Sequence, residues 1–181
     1  MIVRGDEARV AYPLFQEENG GASPTSPLQF RIEPMKIERA RGLNEEWHSR
    51  LPKLANYWNC FAYGAIFENR YYAVACWSDP VARLLNSRQM LELRRMAIAP
   101  DAPKNTASRM LAIMTRLIRL AYPSIKTLVS YQDTAVHTGT IYKAAGWKPV
   151  GFNRNGSWDR PNRFRQQAQS DAPKIRWEYL L

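Results

Sequence analysis

Residues 91–147 read LELRRMAIAP, DAPKNTASRMLAIMTRLIRLAYPS, IKTLVSYQD and TAVHTGTIYKAAGW in succession, and this stretch decides the fold. The first segment is an apolar strand. The second opens on polar residues and becomes an amphipathic helix. The third is a second apolar strand. The fourth is a short helix that contains Tyr142 and closes on Gly146. A strand, a polar turn at a helix N-terminus and a second strand form a phosphate-binding geometry.

Within the first strand, Leu91 and Leu93 share one parity while Met96 and Ile98 share the other. That change of phase across Arg94-Arg95 predicts a bulge that bends the strand and opens its edge. The helix is expected to bury Met110, Ile113, Met114, Leu117, Ile118 and Ala121, which recur at helical spacing. Asn105, Thr106 and Ser108 are candidate N-caps, and Pro123 stops the helix. Lys104 and Arg109 flank the free N–H groups, where an anion meets both dipole and charge. On these residues alone, a capped helix with two solvated cations is the simpler reading, because short phosphate-loop motifs give false positives.

The whole stretch resembles the core of the GNAT superfamily of acetyl-CoA-dependent N-acetyltransferases. The resemblance implies an α/β (α+β) fold with a mixed central sheet, a splayed bulged strand and flanking helices. It implies that Arg95, Met96, Ala97 and Ile98 lie along the pantetheine arm of acetyl-CoA or a related acyl donor. Lys104, Asn105, Thr106, Ala107, Ser108 and Arg109 would receive the pyrophosphate, and Tyr142 would serve as general acid. KNTASR departs from the usual glycine-rich loop. APKNTASRML, SYQD and HTGTIYKAAGW are similar to the Mom family of phage proteins, a GNAT branch that modifies adenine in DNA. That similarity is specific over Leu91–Trp147 and extends loosely back to WHSRLP, where the family has a His-X-Ser element containing His48. Composition places residues 1–27 outside it, as an arm or linker before a single domain of residues 28–181.

The 181 residues carry 26 Lys plus Arg against 16 Asp plus Glu, a formal net charge of +10. Polyanions are the natural partners of such a surface, although basic surfaces also occur without nucleic-acid binding. No apolar run is long enough to span a membrane, and the start lacks a signal-peptide core, so a cytoplasmic protein is expected, in the host if the source is a phage. Cys60 and Cys76 read as buried reduced thiols in strands. Two His and two Cys without paired ligand spacing argue against structural zinc.

Along the rest of the chain, Gln29–Met35 reads as a strand and Lys36–Arg50 as a helix ended by Pro52. Asn59–Phe67 and Tyr71–Ser78 form a hairpin around Glu68-Asn69-Arg70. Lys148–Phe152 and Ile175–Leu181 are the last two strands. The segment between them carries Arg154, Arg160, Arg163 and Arg165 with Trp158 and Phe164. Arginines grip phosphates and aromatic faces stack on bases, so this is a candidate nucleic-acid loop; a solvated loop with two tucked aromatics is the alternative.

Five residues are candidates for the chemistry of the site, four of them beside a plainer reading. Tyr142 would protonate a departing thiolate, or pack as a core tyrosine. Asp133 follows its strand and would orient or deprotonate an amine in the same cleft, or close an Asx turn. Ser130 would face that cleft, or be a small strand residue. His48 is a candidate through the family element alone; Arg95 would hold a phosphate or carboxylate, or pair with Glu92 or Asp101.

The Mom resemblance implies transfer of a carbamoylmethyl group to adenine N6 in double-stranded DNA. Attack on a thioester carbonyl yields an amide, whereas that product is linked through a methylene carbon, so simple acetyl transfer is not the whole reaction. Iron is associated with the family, and His48, Asp133 and a Tyr are possible ligands, though no spacing demonstrates a metal site. Three functions are therefore weighed: an anti-restriction DNA adenine modifier, a conventional acetyltransferase on a small amine, peptide or aminoacyl-tRNA, and a non-catalytic nucleic-acid-binding scaffold. Fold alone does not choose between them; any of the three is compatible with a homodimer.

Overall fold

A computed structural model describes residues 22–48, 50–56, 59–82, 84–153 and 172–181. In chain order the elements are β1 (Arg31–Met35), α1 (Ile37–Trp47), β2 (Phe61–Phe67), β3 (Arg70–Ser78), β4 (Met90–Ile98), α2 (Thr106–Ala121), β5 (Thr127–Asp133), α3 (Thr140–Ala144), β6 (Lys148–Asn153) and β7 (Lys174–Leu180). The order of strands and helices is the one expected from the sequence. A 3-10 turn at Pro27–Gln29, capped by Ser26, precedes β1. Gln29 therefore belongs to that turn and not to the strand. The first helix ends at Trp47, short of the expected Arg50.

The strands form one seven-stranded sheet in the order β1-β2-β3-β4-β5-β7-β6. Among the described strands, only β4 and β5 pair in parallel. Helix α1 packs over β2, β3 and β4 on one face. The main core lies on the other face, where Met110, Met114 and Ile118 of α2 meet Trp77, Leu91, Leu93, Leu128, Tyr142 and Trp177.

The bulge stands where the sequence places it. Cys76 of β3 faces Arg95, but Trp77 faces Leu93, so Arg94 is the extra residue. Leu91 and Leu93 point into the main core before it, and Met96 and Ile98 pack against the same core after it. Ala97 instead joins Val74 and Cys76 under α1. The rungs between β4 and β5 end at Leu93–Ser130. Beyond that rung β4 continues along β3 to Ile98, and β5 continues along β7 to Asp133. The two strands diverge there and leave a wedge-shaped gap.

Helix α2 is rotated from its expected setting. Its buried residues are Thr106, Met110, Leu111, Met114, Thr115 and Ile118. Ile113 and Leu117 are only half-buried and Ala121 is exposed. The Trp77 indole donates to the Met114 sulfur at 3.3 Å, and the buried stripe runs through Leu111 and Thr115 on that side. The Ile113 flank is turned out to line a groove. Cys76 is buried, Cys60 is half-buried, and both are free thiols. No helix among the described residues is long and apolar enough to cross a membrane.

Candidate active site

The gap between β4 and β5 separates two chemically different faces. On the α2 side, the loop after β4 turns into the helix at Asn105, which has a φ of 68°. Asparagine is among the few side-chain-bearing residues that enter this left-handed region readily, so it replaces the glycine missing from KNTASR. None of the three predicted N-caps caps with its side chain. The Thr106 hydroxyl donates to the Pro103 carbonyl at 2.6 Å and the Ser108 hydroxyl to the Asn105 carbonyl at 3.1 Å. The first turn of α2 is therefore left without a side-chain acceptor, the arrangement an anion requires.

A cavity of about 200 Å³ opens at this turn, lined by Ile98, Asn105, Thr106, Ala107, Ser108 and the Thr140–Ala144 helix. A groove of about 530 Å³ adjoins it through Asn105, Ser108 and Ala144 and carries Arg109 and Arg116. Lys104 stands exposed at the loop. Met96 and Ile98 point to this side, while Ala97 does not.

Tyr142 closes the inner end of the gap. It is 8% exposed, stacks on Trp177 at 5.3 Å and 14°, and meets the edge of Trp147 at 5.7 Å. Its hydroxyl lies 2.9 Å from that of Ser130, the residue of the last β4–β5 rung. Burial raises the phenol pKa above its ordinary value, and the Ser130 hydrogen bond opposes the shift. The Trp177 indole donates to Gln132 Oε1 at 2.7 Å. Gln132 Nε2 donates in turn to the His137 carbonyl. The sequence reading assigned no site role to Gln132 or to Trp177; a polar residue two positions after Ser130, at the same inward parity of SYQD, is the signal that could have found Gln132.

The opposite face is polar. The bulge places Arg94 and Arg95 on the same side, since each lies at the outward phase of its half of β4. Arg94 forms a buried ion pair with Glu92, whose other oxygen accepts the Val81 N–H at 3.1 Å. Arg95 Nη1 donates to the Arg94 carbonyl at 2.7 Å and so props the bulge. The strap after α1 crosses here: Arg50 Nη1 lies 3.5 Å from Asp133 Oδ2. His48 Nδ1 accepts the Leu51 N–H at 3.2 Å. Burial, then the charges of Arg95 and His137, hold the His48 pKa below its usual value. Burial lowers that of Lys174, which also senses Asp133, Arg95, Arg94 and Glu92. His48, Arg95, Asp133 and Lys174 thus gather at one mouth.

This arrangement corrects the expectation that Asp133 and Tyr142 open on the same cleft. Tyr142 and Ser130 lie on the α3 face of β5, and Asp133, at odd parity and paired with Arg50, lies on the other. Asp133 is the last residue of β5, not a residue beyond it. Its Oδ1 accepts the Ala135 N–H at 2.9 Å, an Asx turn. Asp101 binds Arg70 and Glu92 binds Arg94.

The residues fit an acyl-CoA better than iron. Asn105, the uncapped turn and the Arg109–Arg116 groove are suited to phosphates. For iron, no group of three or more His, Cys, Asp or Glu is suitably placed among the described residues. His48 and Asp133 each have an atom committed to a backbone N–H. The candidate nucleic-acid residues Arg154, Trp158, Arg160, Arg163, Phe164 and Arg165 lie outside the described residues.

Residues 29–170 match the model of the Mom protein family. The methylcarbamoylase Mom of Escherichia phage Mu is 30% identical over 90 residues, which make up 49% of this chain and 37% of that protein. The match therefore spans little more than a third of that relative. An acetyltransferase from Bacillus subtilis, solved in complex with CoA, superposes with a TM-score of 0.57 at 11% identity, over 84% of this chain and 99% of that one. The ribosomal-protein-S18-alanine N-acetyltransferase of Escherichia coli gives 0.56 at 12% identity over 83% and 93%. A GNAT family acetyltransferase from Elizabethkingia anophelis with acetyl-CoA bound gives 0.51 at 13% over 84% and 99%. At such identities the likeness shows the fold, which is that of the GNAT acetyltransferases.

Proposed function

This chain belongs to the Mom protein family, and from that membership we propose that it is a transferase acting on adenine N6 in double-stranded DNA, of the carbamoylmethylating, anti-restriction kind. The observation that carries the reading is the two-faced gap beside β5. A buried phenol stands on one side of it, and a mouth of His48, Arg95, Asp133 and Lys174 stands on the other. Adenine must leave the base stack to reach such a gap, and a basic rim of this kind suits the phosphates on either side of an extruded nucleotide.

Each residue then has a task. Asn105, Thr106, Ala107 and Ser108, with Arg109 and Arg116, would hold the phosphates of an acyl-CoA, and Met96 and Ile98 its arm. A bound acyl-CoA would supply an acyl group activated on sulfur; its direct transfer gives an N6 amide as the thiolate leaves, so a methylene-linked product needs chemistry beyond this step. Tyr142 keeps its proton at neutral pH, because burial raises its pKa, and can give it to a leaving thiolate with Ser130 orienting the hydroxyl. His48, kept neutral by burial and by Arg95, and Asp133 would orient the N6 amine. Mass spectrometry of nucleosides from DNA of cells expressing the protein tests the reading: a modified deoxyadenosine is expected. Unmodified deoxyadenosine alone, with soluble protein present, overturns it.

A further inference from the structure

Strand alternation gives β5 and β7 two unlike faces. Ser130, Gln132 and Trp177 face α3 and the core. The other set is Val129, Tyr131, Asp133, Lys174, Arg176 and Glu178; Val129 is buried and the other five are only half-buried. The register pairs Tyr131 with Arg176 and Asp133 with Lys174 across the two strands, and directly opposed residues share a face. Helix α1 covers β2, β3 and β4 and leaves this part of the sheet without a described helix over it. The result is an aromatic ring set among charges on a sheet surface that is partly exposed among the described residues. It adjoins the mouth formed by Arg50 and Asp133.

Nothing in the proposed chemistry uses Tyr131. Its phenol makes a hydrogen-bonding contact with Arg176 and lies near Glu92 and Glu178. Those neighbours hold the ring in place from both strands. Tyr131 lies between Ser130 and Gln132 along β5, so its side chain is next to the gap but on the face away from Tyr142. Aromatic side chains on an open sheet surface are a recurring platform for unstacked bases, and every base has a π-face to offer.

We propose that the open face of β5 and β7 is the acceptor platform, and that the Tyr131 ring takes the face of an extruded purine while Arg50 and Lys174 hold the flanking phosphates. This rests on the reading of the chain as a DNA adenine modifier and adds where the base lies. The purine edge is then presented toward the gap, and the group to be transferred arrives from the opposite face. Gly139 supports the arrangement indirectly. A Cβ there would come within 2.6 Å of both Gln132 and Trp177, so the loop after β5 is packed against the core side, the side away from Tyr131.

The test uses the full chain and a duplex in which 2-aminopurine replaces the target adenine. The probe is dim when stacked and bright when extruded into solvent. Binding is followed by anisotropy of a separate label. Wild-type protein is expected to bind and leave the probe dim, because Tyr131 replaces the lost neighbours. Tyr131→Val, which keeps strand propensity, is expected to bind and brighten the probe several-fold. Tyr131→Phe keeps the ring and is expected to stay dim. Should Tyr131→Val lose its folded circular dichroism, Tyr131→Gln carries the same reading. Equal fluorescence of the wild-type and ring-less complexes, with both bound, overturns the platform and leaves the DNA-modifying reading standing. Failure of the wild type to bind DNA overturns both.

Discussion

The Ser130 hydroxyl lies 2.9 Å from the Tyr142 hydroxyl in the buried core, and Ser130 is also the β5 residue of the last rung to β4. The point where the sheet opens and the point where the phenol is held are thus one residue. Twelve positions of sequence separate the pair. Strand β5 supplies one hydroxyl and α3 the other, and Trp177 of β7 fixes the ring between them.

That fixation depends on Gly139. It has a φ of +75°, and an added Cβ would meet Gln132 Oε1 and the Trp177 ring at 2.6 Å. Gly139→Ala is expected to cost roughly 2 kcal/mol or more, from left-handed strain and overpacking together. Urea unfolding measures it. A change below about 0.5 kcal/mol, the ordinary surface level, would mean that the loop relaxes freely.

Much of this was legible in sequence, for identifiable reasons. The bulge showed because Leu91 and Leu93 must bury on the same face as Met96 and Ile98, which strict alternation forbids. Element order followed from periodicity. The setting of α2 was misread because Leu111 and Thr115 are buried by the position of Trp77 and the sheet, which no local pattern reports. Face assignments at the site were misread for a similar reason. Asp133 and Tyr142 look adjacent along the chain, but parity along β5 sends Ser130 and Asp133 to opposite sides. The approach of His48 to Arg95 and His137 joins three separate segments, and only the tertiary fold brings them together.

The left-handed Asn105 gives a separable prediction. Asn105→Gly is expected to leave stability within about 0.5 kcal/mol and to keep CoA affinity, because glycine adopts this φ freely. Asn105→Ala is expected to lose about 1 kcal/mol through left-handed strain and to weaken CoA binding. Thermal melts and calorimetric titration with CoA read the two effects. Equal behaviour of the Gly and Ala variants would show that the loop conformation is not what binds the donor.

Buried Cys76 predicts an alkaline weakness. Burial pushes its thiol from 9.0 up to about 12. The folded state therefore keeps a proton that the unfolded chain releases, so the contribution is complete below pH 9 and is lost as pH rises from 9 toward 12. At pH 10.5 the linked loss is about 2 kcal/mol. Urea midpoints at pH 7.5 and 10.5 measure the drop, and Cys76→Ala should flatten it. An undiminished slope in that variant would assign the effect to the tyrosines, among which Tyr63 is also raised to about 12 by burial.

Asp133 has two jobs that substitution can divide. Asp133→Asn keeps an oxygen for the Ala135 N–H and loses the charge opposite Arg50. Asp133→Ala loses both. The Asn variant is expected to be as stable as wild type within about 0.5 kcal/mol, since the ion pair is partly exposed, and to lose most DNA modification. The Ala variant is expected to lose activity and also about 1 kcal/mol of stability with the turn. If Asp133→Asn modifies DNA at the wild-type rate, the carboxylate serves only the turn.

Tyr142→Phe separates chemistry from packing most sharply. The phenyl ring preserves the stack on Trp177 and the edge contact with Trp147, so no cavity forms. What is lost is one buried hydrogen bond, and Ser130 is left with an unpaired hydroxyl. That costs on the order of 1 to 3 kcal/mol. Ser130→Ala is expected to cost a similar amount, because it strands the phenol instead. The double variant removes both hydroxyls and should be more stable than the sum of the two single losses implies. Activity should follow a different pattern. If Tyr142 donates a proton, every variant without its hydroxyl falls to the background level of modification, whereas Ser130→Ala keeps a measurable rate. Modified deoxyadenosine counted by mass spectrometry, at protein levels matched by folded fraction, makes the comparison. A Tyr142→Phe protein that modifies DNA as fast as Ser130→Ala would reduce the pair to a structural hydrogen bond.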